Sequence, residues 1–195
     1  MSSVDEAIAA IRAGEPVVLP FDTVYGLAAR EDEDSTRRLY ALKGRVAQQP
    51  TALVATDTES LIELVPELDT TVLLRGPFTL IVPNPAHRFP WLTGTKPATI
   101  GVRLPELAGP AAAVLAAVRV VAATSANHPG GADPKQLAAV PEDIRTGAGA
   151  VIDGGDLPGK PSTVVDLTGA EPRILREGAV PTLEVLARIK SSRTA

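Results

Sequence analysis

Short apolar runs alternate with amphipathic segments along the chain, which predicts an α/β fold built around a sheet. Around residues 70–105 strand-like runs follow each other without a helix between them, so the sheet is expected to mix parallel and antiparallel neighbours. No internal repeat, low-complexity tract or linker interrupts the 195 residues. One α/β domain, a twisted mixed sheet flanked by helices, is expected over residues 1–190. The tail "SSRTA" (191–195) is expected to be disordered.

The elements follow in order. Ser3-Val4-Asp5-Glu6 reads as a capping box opening a helix, with Val4, Ala7, Ile8 and Ile11 on one face and Gly14 closing it. "PVVLP" (16–20) is a short buried strand. "DEDSTRRLYALKGR" begins with acids and ends with cations, the order that the helix dipole favours. "TALVAT" is a strand and "DTESLIELV" a capped helix. "FTLIVP" and "TIGVRLP" are strands, and "GPAAAVLAAVR" is a helix with Pro at its start. "VVAAT" is a strand, after which Asp133-Pro134 is expected to cap a short helix. "AVID", "STVVDL" and "RILR" are strands, and "PTLEVLARIK" closes the chain as a helix.

Composition excludes several chemistries. There is no cysteine, hence no disulfide, thiolate metal site or Cys nucleophile. Two histidines, His87 and His128, argue against a His-based metal site. A net charge of −4 with few aromatics argues against a chain whose main task is gripping RNA or DNA. No apolar run reaches the roughly 20 residues that span a bilayer, and the N-terminus lacks the plan of a signal peptide. A cytoplasmic protein without a membrane partner is expected.

The polar groups gather where apolar strands start or stop. "VVAATSANHPGG" (120–131) ends a buried-looking strand in Thr124, Ser125 and Asn127. "PFDTVYGL" sets Asp22 and Thr23 after the first strand, as an Asx-type turn or as a strand-end site. In "LKGR", Lys43 and Arg45 flank Gly44; the pair reads as a helix C-cap or as two cations facing one cleft. "GVRLP" places Arg103 near the end of an apolar strand, costly unless it is paired or faces a ligand. "PSTVVD" puts Ser162 and Thr163 at a strand start, and "ILREGAV" puts Arg176 at a strand end. "GGDLPGKPS" approaches a P-loop, yet Pro161 stands where Ser or Thr is needed and a strand follows instead of a helix. No G-x-G-x-x-G follows a strand. The inventory holds an anion and a small polar ligand, with neither a nucleophile nor a redox centre.

"PFDTVYGL", "LKGR", "GPFTLIVP", "TIGVRLP", "ATSAN", "PSTVVDL" and "ILREGAV" stand in the order and spacing of one family. From Pro16 to Val180 the chain resembles the YrdC/Sua5 family of threonylcarbamoyl-AMP synthases, in its short YrdC-like form. The pair K-x-R followed by S-x-N, here Lys43/Arg45 and Ser125/Asn127, is the most specific part of the likeness. The resemblance implies a twisted mixed sheet with a large concave face. It implies synthesis of threonylcarbamoyl-AMP and pyrophosphate from L-threonine, bicarbonate or CO2, and ATP with Mg2+. It also implies a downstream tRNA-modifying transferase machinery that carries the product to adenosine 37 of tRNA, with weak tRNA contact at most for this chain. By the same resemblance Thr23, Arg103, Ser125 and Ser162 bind L-threonine. Lys43, Arg45, Thr99, Asn127 and Arg176 bind ATP, and Lys43 and Arg45 are the catalytic pair. No protein side chain is assigned to the metal.

The sequence departs from the family pattern at Phe21, where many relatives have Thr, and at His128-Pro129. Gln48-Gln49 lies in a stretch that varies among relatives, and the C-terminal domain of the longer members is not matched. Two other readings compete: an RNA-binding or ribosome-maturation module of the same fold, and a nucleotide-binding homologue with another acceptor.

Overall fold

A computed structural model describes residues 1–46 and 49–192. The expected variable Gln48, and 193–195 of the expected tail, lie outside the described residues. In chain order the elements are α1 (Val4–Arg12), β1 (Val17–Pro20), β2 (Tyr25–Ala29), α2 (Glu33–Lys43), β3 (Ala52–Ala55) and α3 (Thr58–Leu64). Then come β4 (Phe78–Pro83), α4 (Pro90–Thr93), β5 (Thr99–Arg103), α5 (Gly109–Val118), β6 (Val120–Ser125) and α6 (Glu142–Gly147). The chain ends with β7 (Ala150–Val151), β8 (Thr163–Asp166), β9 (Arg173–Arg176) and α7 (Thr182–Ser192).

All nine strands form one sheet in the order β7-β1-β2-β6-β3-β5-β4-β8-β9. β1/β7, β3/β5 and β4/β8 are parallel and the other pairs antiparallel. This is the expected mixed sheet. The strand-after-strand stretch is the antiparallel pair β4/β5, with Leu80 opposite Val102.

Side chains alternate across each strand, so helices cover both faces. Val17, Leu19, Val54 and Val121 meet Ala7 and Ile11 of α1 and Val114 and Leu115 of α5. On the opposite face Leu53, Leu80 and Val102 pack with Leu61 of α3, Leu92 of α4 and Val185 and Ile189 of α7. Val18 and Leu27 pack there with Leu39 and Tyr40 of α2 and Ile144 of α6.

The Ser3 and Asp57 caps behave as the sequence predicts, and Asp32 adds one at the acidic start of α2. Ser3 and Glu6 form the reciprocal box, with Ser3 N–H 2.7 Å from Glu6 Oε2. Asp32 caps α2 and Asp57 caps α3 through the N–H groups of Ser35 and Ser60. Five features differ from expectation. β2 is a full strand, α4 and α6 are additional short helices, and Ser191-Ser192 belong to α7 rather than to a tail. Asp133-Pro134 caps no helix: the next element is a 3-10 turn, Leu137–Ala139, whose N-cap Gln136 makes no side-chain cap bond. Among the described residues, no helix is long and apolar enough to cross a membrane.

Six strands separate β7 from β8 in the sheet, so the connection 152–162 has to run across it. Its course is pinned. The Tyr25 hydroxyl has its one proton between two acceptors, Asp153 Oδ1 at 2.8 Å and the Gly155 carbonyl at 2.9 Å, and accepts from Gly154 N–H. Burial, first of all, pushes this phenol up to about 12, so it stays protonated. Further along, Leu157 N–H donates to the Lys135 carbonyl and Gly159 N–H to the Thr23 carbonyl, at 2.8 and 2.9 Å. The glycine-rich near-match to a P-loop is this crossing segment, and β8 follows it.

Candidate active site

The sheet carries a cavity of about 260 Å³ on the face that also meets α1 and α5. Its floor exists because the strands present small side chains there: Gly26 on β2, Ala52 and Val54 on β3, Ala123 on β6 and Val164 on β8. Strand ends then supply the polar rim. Thr23, Arg45, Arg103, Ser125, Ser162 and Arg176 all line the cavity, so the fold gathers six of the nine residues singled out in the sequence.

Arg103 leaves the end of β5 and is only 12% exposed. Its Nη2 pairs with Asp22 Oδ1 and donates to Thr23 Oγ1 at 2.9 Å, while Asp22 Oδ2 accepts from Glu106 N–H at 3.1 Å. Burial pushes the guanidinium pKa down and Asp22 opposes that push; arginine remains charged. The guanidinium lies 5.8 Å over the Phe21 ring. Phe21 in turn fills the space above Gly26, where an added Cβ would stand 2.5 Å from the ring. The departure at Phe21 is therefore a packing unit: an aromatic shelf under Arg103 that requires glycine beneath it.

Arg45 donates to Thr124 Oγ1 at 2.8 Å and to the Pro50 carbonyl at 2.5 Å, and sits 5.9 Å over the Tyr40 ring. The Nε groups of Arg45 and Arg103 are buried without a partner among the described residues. Arg176 donates to the Ser162 carbonyl at 2.9 Å, and Ser162 Oγ meets Thr79 Oγ1 at 2.8 Å. Gly178 holds this corner together: a Cβ there would fall 2.1 Å from the Pro161 carbonyl oxygen.

Three singled-out residues do not line the cavity. Lys43 is buried beside it, at 4% exposure. Its ammonium donates to the Ser125 carbonyl, the Asn127 carbonyl and Asn127 Oδ1, at 2.5, 2.6 and 2.8 Å. An ammonium has three donors, and all three are engaged. Burial and then Arg45 push Lys43 down to about 8, with Asp133 pulling the other way. Asn127 is fixed likewise: Oδ1 also accepts from Ser125 Oγ at 2.6 Å, and Nδ2 donates to the Gly131 carbonyl at 2.6 Å. Thr99 opens β5 four residues before Arg103, about 13 Å away at the strand rise, with its hydroxyl on the Lys96 carbonyl. The structure keeps it out of the cavity.

The K-x-R turn is a helix C-cap, with Gly44 in the left-handed conformation at φ 65°. That same turn brings Arg45 into the cavity and buries Lys43. His128, the second departure, closes it from outside, with Nδ1 3.2 Å from the Lys43 carbonyl and Nε2 3.1 Å from Asp143 Oδ1.

The sequence names Asp22 only as part of a turn or strand-end site and not as the partner of Arg103, and it gives neither Thr79 nor Asp133 a place in the cavity. Thr79 had a signal, since it alternates with buried Phe78 and Leu80 on β4 and so faces the cavity. Asp133 is the one carboxylate among the described residues that line the cavity. Among the described residues no three His, Cys, Asp or Glu side chains converge as a metal cage. The donor set therefore fits Mg2+ only as an ion that brings phosphate and water ligands with it.

The Sua5/YciO/YrdC family model, described as telomere recombination, matches residues 9–178. The chain belongs to this family. Within the Sua5/YciO/YrdC family it is 34% identical over 183 residues to the threonylcarbamoyl-AMP synthase of Pyrococcus abyssi, covering 90% of this chain and 54% of that protein. It is 31% identical over 179 residues to the threonylcarbamoyl-AMP synthase of Chromohalobacter salexigens, covering 85% of this chain and 93% of that one. The chain thus spans about half the length of the archaeal relative and nearly all of the bacterial one. The crystal structure of P. abyssi Sua5 complexed with L-threonine superposes with a TM-score of 0.86 at 33% identity, over 95% of this chain and 57% of that one.

Proposed function

We propose that this Sua5/YciO/YrdC member is a threonylcarbamoyl-AMP synthase acting on L-threonine, bicarbonate or CO2, and ATP. The observation that carries the reading is the convergence of Thr23, Arg45, Arg103, Ser125, Ser162 and Arg176 on one cavity, in a chain so similar to a Sua5 crystallised with L-threonine.

The chemistry asks for positioning and charge neutralisation. Threonine's amine captures CO2 as a carbamate, losing a proton. A carbamate oxygen attacks the α-phosphorus, and the bond to pyrophosphate breaks. Arg103, held by Asp22, offers its remaining donors to the threonine carboxylate. Thr23 Oγ1 accepts from Arg103, which leaves its own proton to donate to the amino acid. Ser125 Oγ gives its proton to Asn127 and can only accept from a ligand.

Arg45 and Arg176 meet the phosphates. Lys43 acts behind them, shaping the Ser125–Asn127 loop rather than touching phosphate, which replaces its expected catalytic contact. A cavity of about 260 Å³, below the roughly 300–1,000 Å³ of drug-sized pockets, takes the amino acid and the reacting phosphates. The adenosine lies outside it, along the loop after β6. Mg2+ bound to ATP would neutralise phosphate charge, with Arg45 and Arg176 holding the phosphates beside it. A tRNA-modifying transferase consumes the product, and a net charge of −4 gives this chain little surface for tRNA itself.

The test is incorporation of labelled bicarbonate. With ATP and L-threonine, label should enter an adenylated product, and none should enter when threonine is omitted. Label in the adenylate without threonine, or none with it, rejects the reading.

A further inference from the structure

The cavity's charges are unevenly matched. Lys43 is fully hydrogen-bonded within its loop, Arg103 is paired with Asp22, and Arg176 and Arg45 hold backbone or hydroxyl oxygens. Asp133 lines the same cavity and has no hydrogen-bond partner among the described residues. Its backbone is rigid all the same. Two residues earlier the Gly131 carbonyl is gripped by Asn127 Nδ2 at 2.6 Å, and one residue later the Pro134 carbonyl accepts from Tyr25 N–H at 2.8 Å. A half-buried carboxylate fixed in a pocket for a polyphosphate repels that ligand unless a cation stands between them. Magnesium bound to a nucleotide characteristically takes one or two protein carboxylates, the rest of its shell being phosphate and water.

We infer that Asp133 is the protein carboxylate that receives the metal ion carried by ATP, and that it makes nucleotide binding at this site metal-dependent. The inference rests on the ATP-binding reading above. It selects the metal over the substrate's ammonium because Asp133 follows the Ser125–Asn127 loop, tied to it through the Gly131 carbonyl, and the proposal gives that loop to the nucleotide. Among the described residues no other carboxylate lines the cavity to do this work.

The experiment measures ATP binding by calorimetry, with EDTA and with excess Mg2+, for the full chain and for Asp133→Asn. The wild type should bind at least tenfold more tightly with Mg2+. Asp133→Asn should bind metal-free ATP more tightly than the wild type does, and its Mg2+ enhancement should shrink to about threefold or less. With Mn2+ in place of Mg2+, the electron paramagnetic resonance spectrum of the protein–Mn2+–ATP complex should change in Asp133→Asn. A variant that keeps the wild-type enhancement and spectrum overturns the inference and leaves the synthase reading standing. Loss of L-threonine binding with unchanged metal dependence also overturns it, assigning the carboxylate to the substrate amine. A wild type that binds ATP under neither condition overturns the synthase reading and this inference together.

Discussion

Lys43 Nζ lies 2.8 Å from Asn127 Oδ1 and 2.6 Å from the Asn127 carbonyl, so the K-x-R turn and the S-x-N loop are joined by one buried ammonium. The two motifs form one device. α2 delivers the cation, and the cation sets the loop that ends β6. Lys43→Met should take the side-chain donor from two backbone carbonyls, those of Ser125 and Asn127, while Asn127 Oδ1 keeps the Ser125 hydroxyl. Stability should fall by at least about 2 kcal/mol, at roughly 1–3 kcal/mol per buried orphan. Nucleotide affinity should fall with it. Urea denaturation and ATP titration of the same sample check both; an unchanged midpoint rejects the clamp.

The Asp22–Arg103 pair makes a different prediction. Asp22→Asn keeps the shape but loosens the guanidinium. L-Threonine affinity should fall about tenfold, or about 1.4 kcal/mol, while ATP affinity stays within about twofold. Calorimetric titration with each ligand separately is the check. Equal losses for both would mean that Asp22 supports the whole site rather than Arg103.

Phe21 and Gly26 should be energetically coupled. Gly26→Ala puts a Cβ 2.5 Å from the Phe21 ring, and overpacking of that kind costs about 1–3 kcal/mol. Adding Phe21→Thr removes the ring and should recover part of the loss. A double-mutant cycle on thermal unfolding measures the coupling, and strict additivity would contradict the packing account.

His128 should titrate above its ordinary value. Both ring nitrogens face acceptors, so the doubly protonated ring satisfies both. The Lys43 carbonyl and then Asp143 raise its pKa. A raised folded value stabilises below the unfolded pKa of about 6.5, and that contribution is lost as pH rises through the folded value. With His87 the only other histidine, proton NMR resolves the titration. Asp143→Asn should move it down only part of the way; no movement would show that the contact is idle.

Much of this was legible in the sequence because local rules set it. The Ser3 and Asp57 caps, the acidic start of α2, the apolar strands and the polar groups at their ends follow from residue type and spacing. β2 was hidden because Tyr25–Ala29 is buried on both faces and carries neither alternation nor a β-branched residue. In the sequence Lys43 reads as a helix C-cap cation or as one facing a cleft, for no local signal tells a buried lysine from a solvated one at a helix end. Its burial depends on the Ser125–Asn127 loop, some 80 residues away in sequence. Asp133 looked like a helix cap because Asp-Pro is common there. The bonds that hold the Gly131 and Pro134 carbonyls on either side of it, from Asn127 and from Tyr25 on β2, set it in the cavity instead.

The central claim is that one cavity joins L-threonine to ATP. Pyrophosphate release with ATP and bicarbonate tests it most directly, comparing L-threonine, L-serine, L-valine and no amino acid. A site that hydrogen-bonds the substrate hydroxyl discriminates more strongly against its loss than against loss of a methyl group. Release should be fastest with threonine, slower with serine, and at background with valine or without amino acid. Equal release with valine and threonine, or release indifferent to any amino acid, would contradict the account.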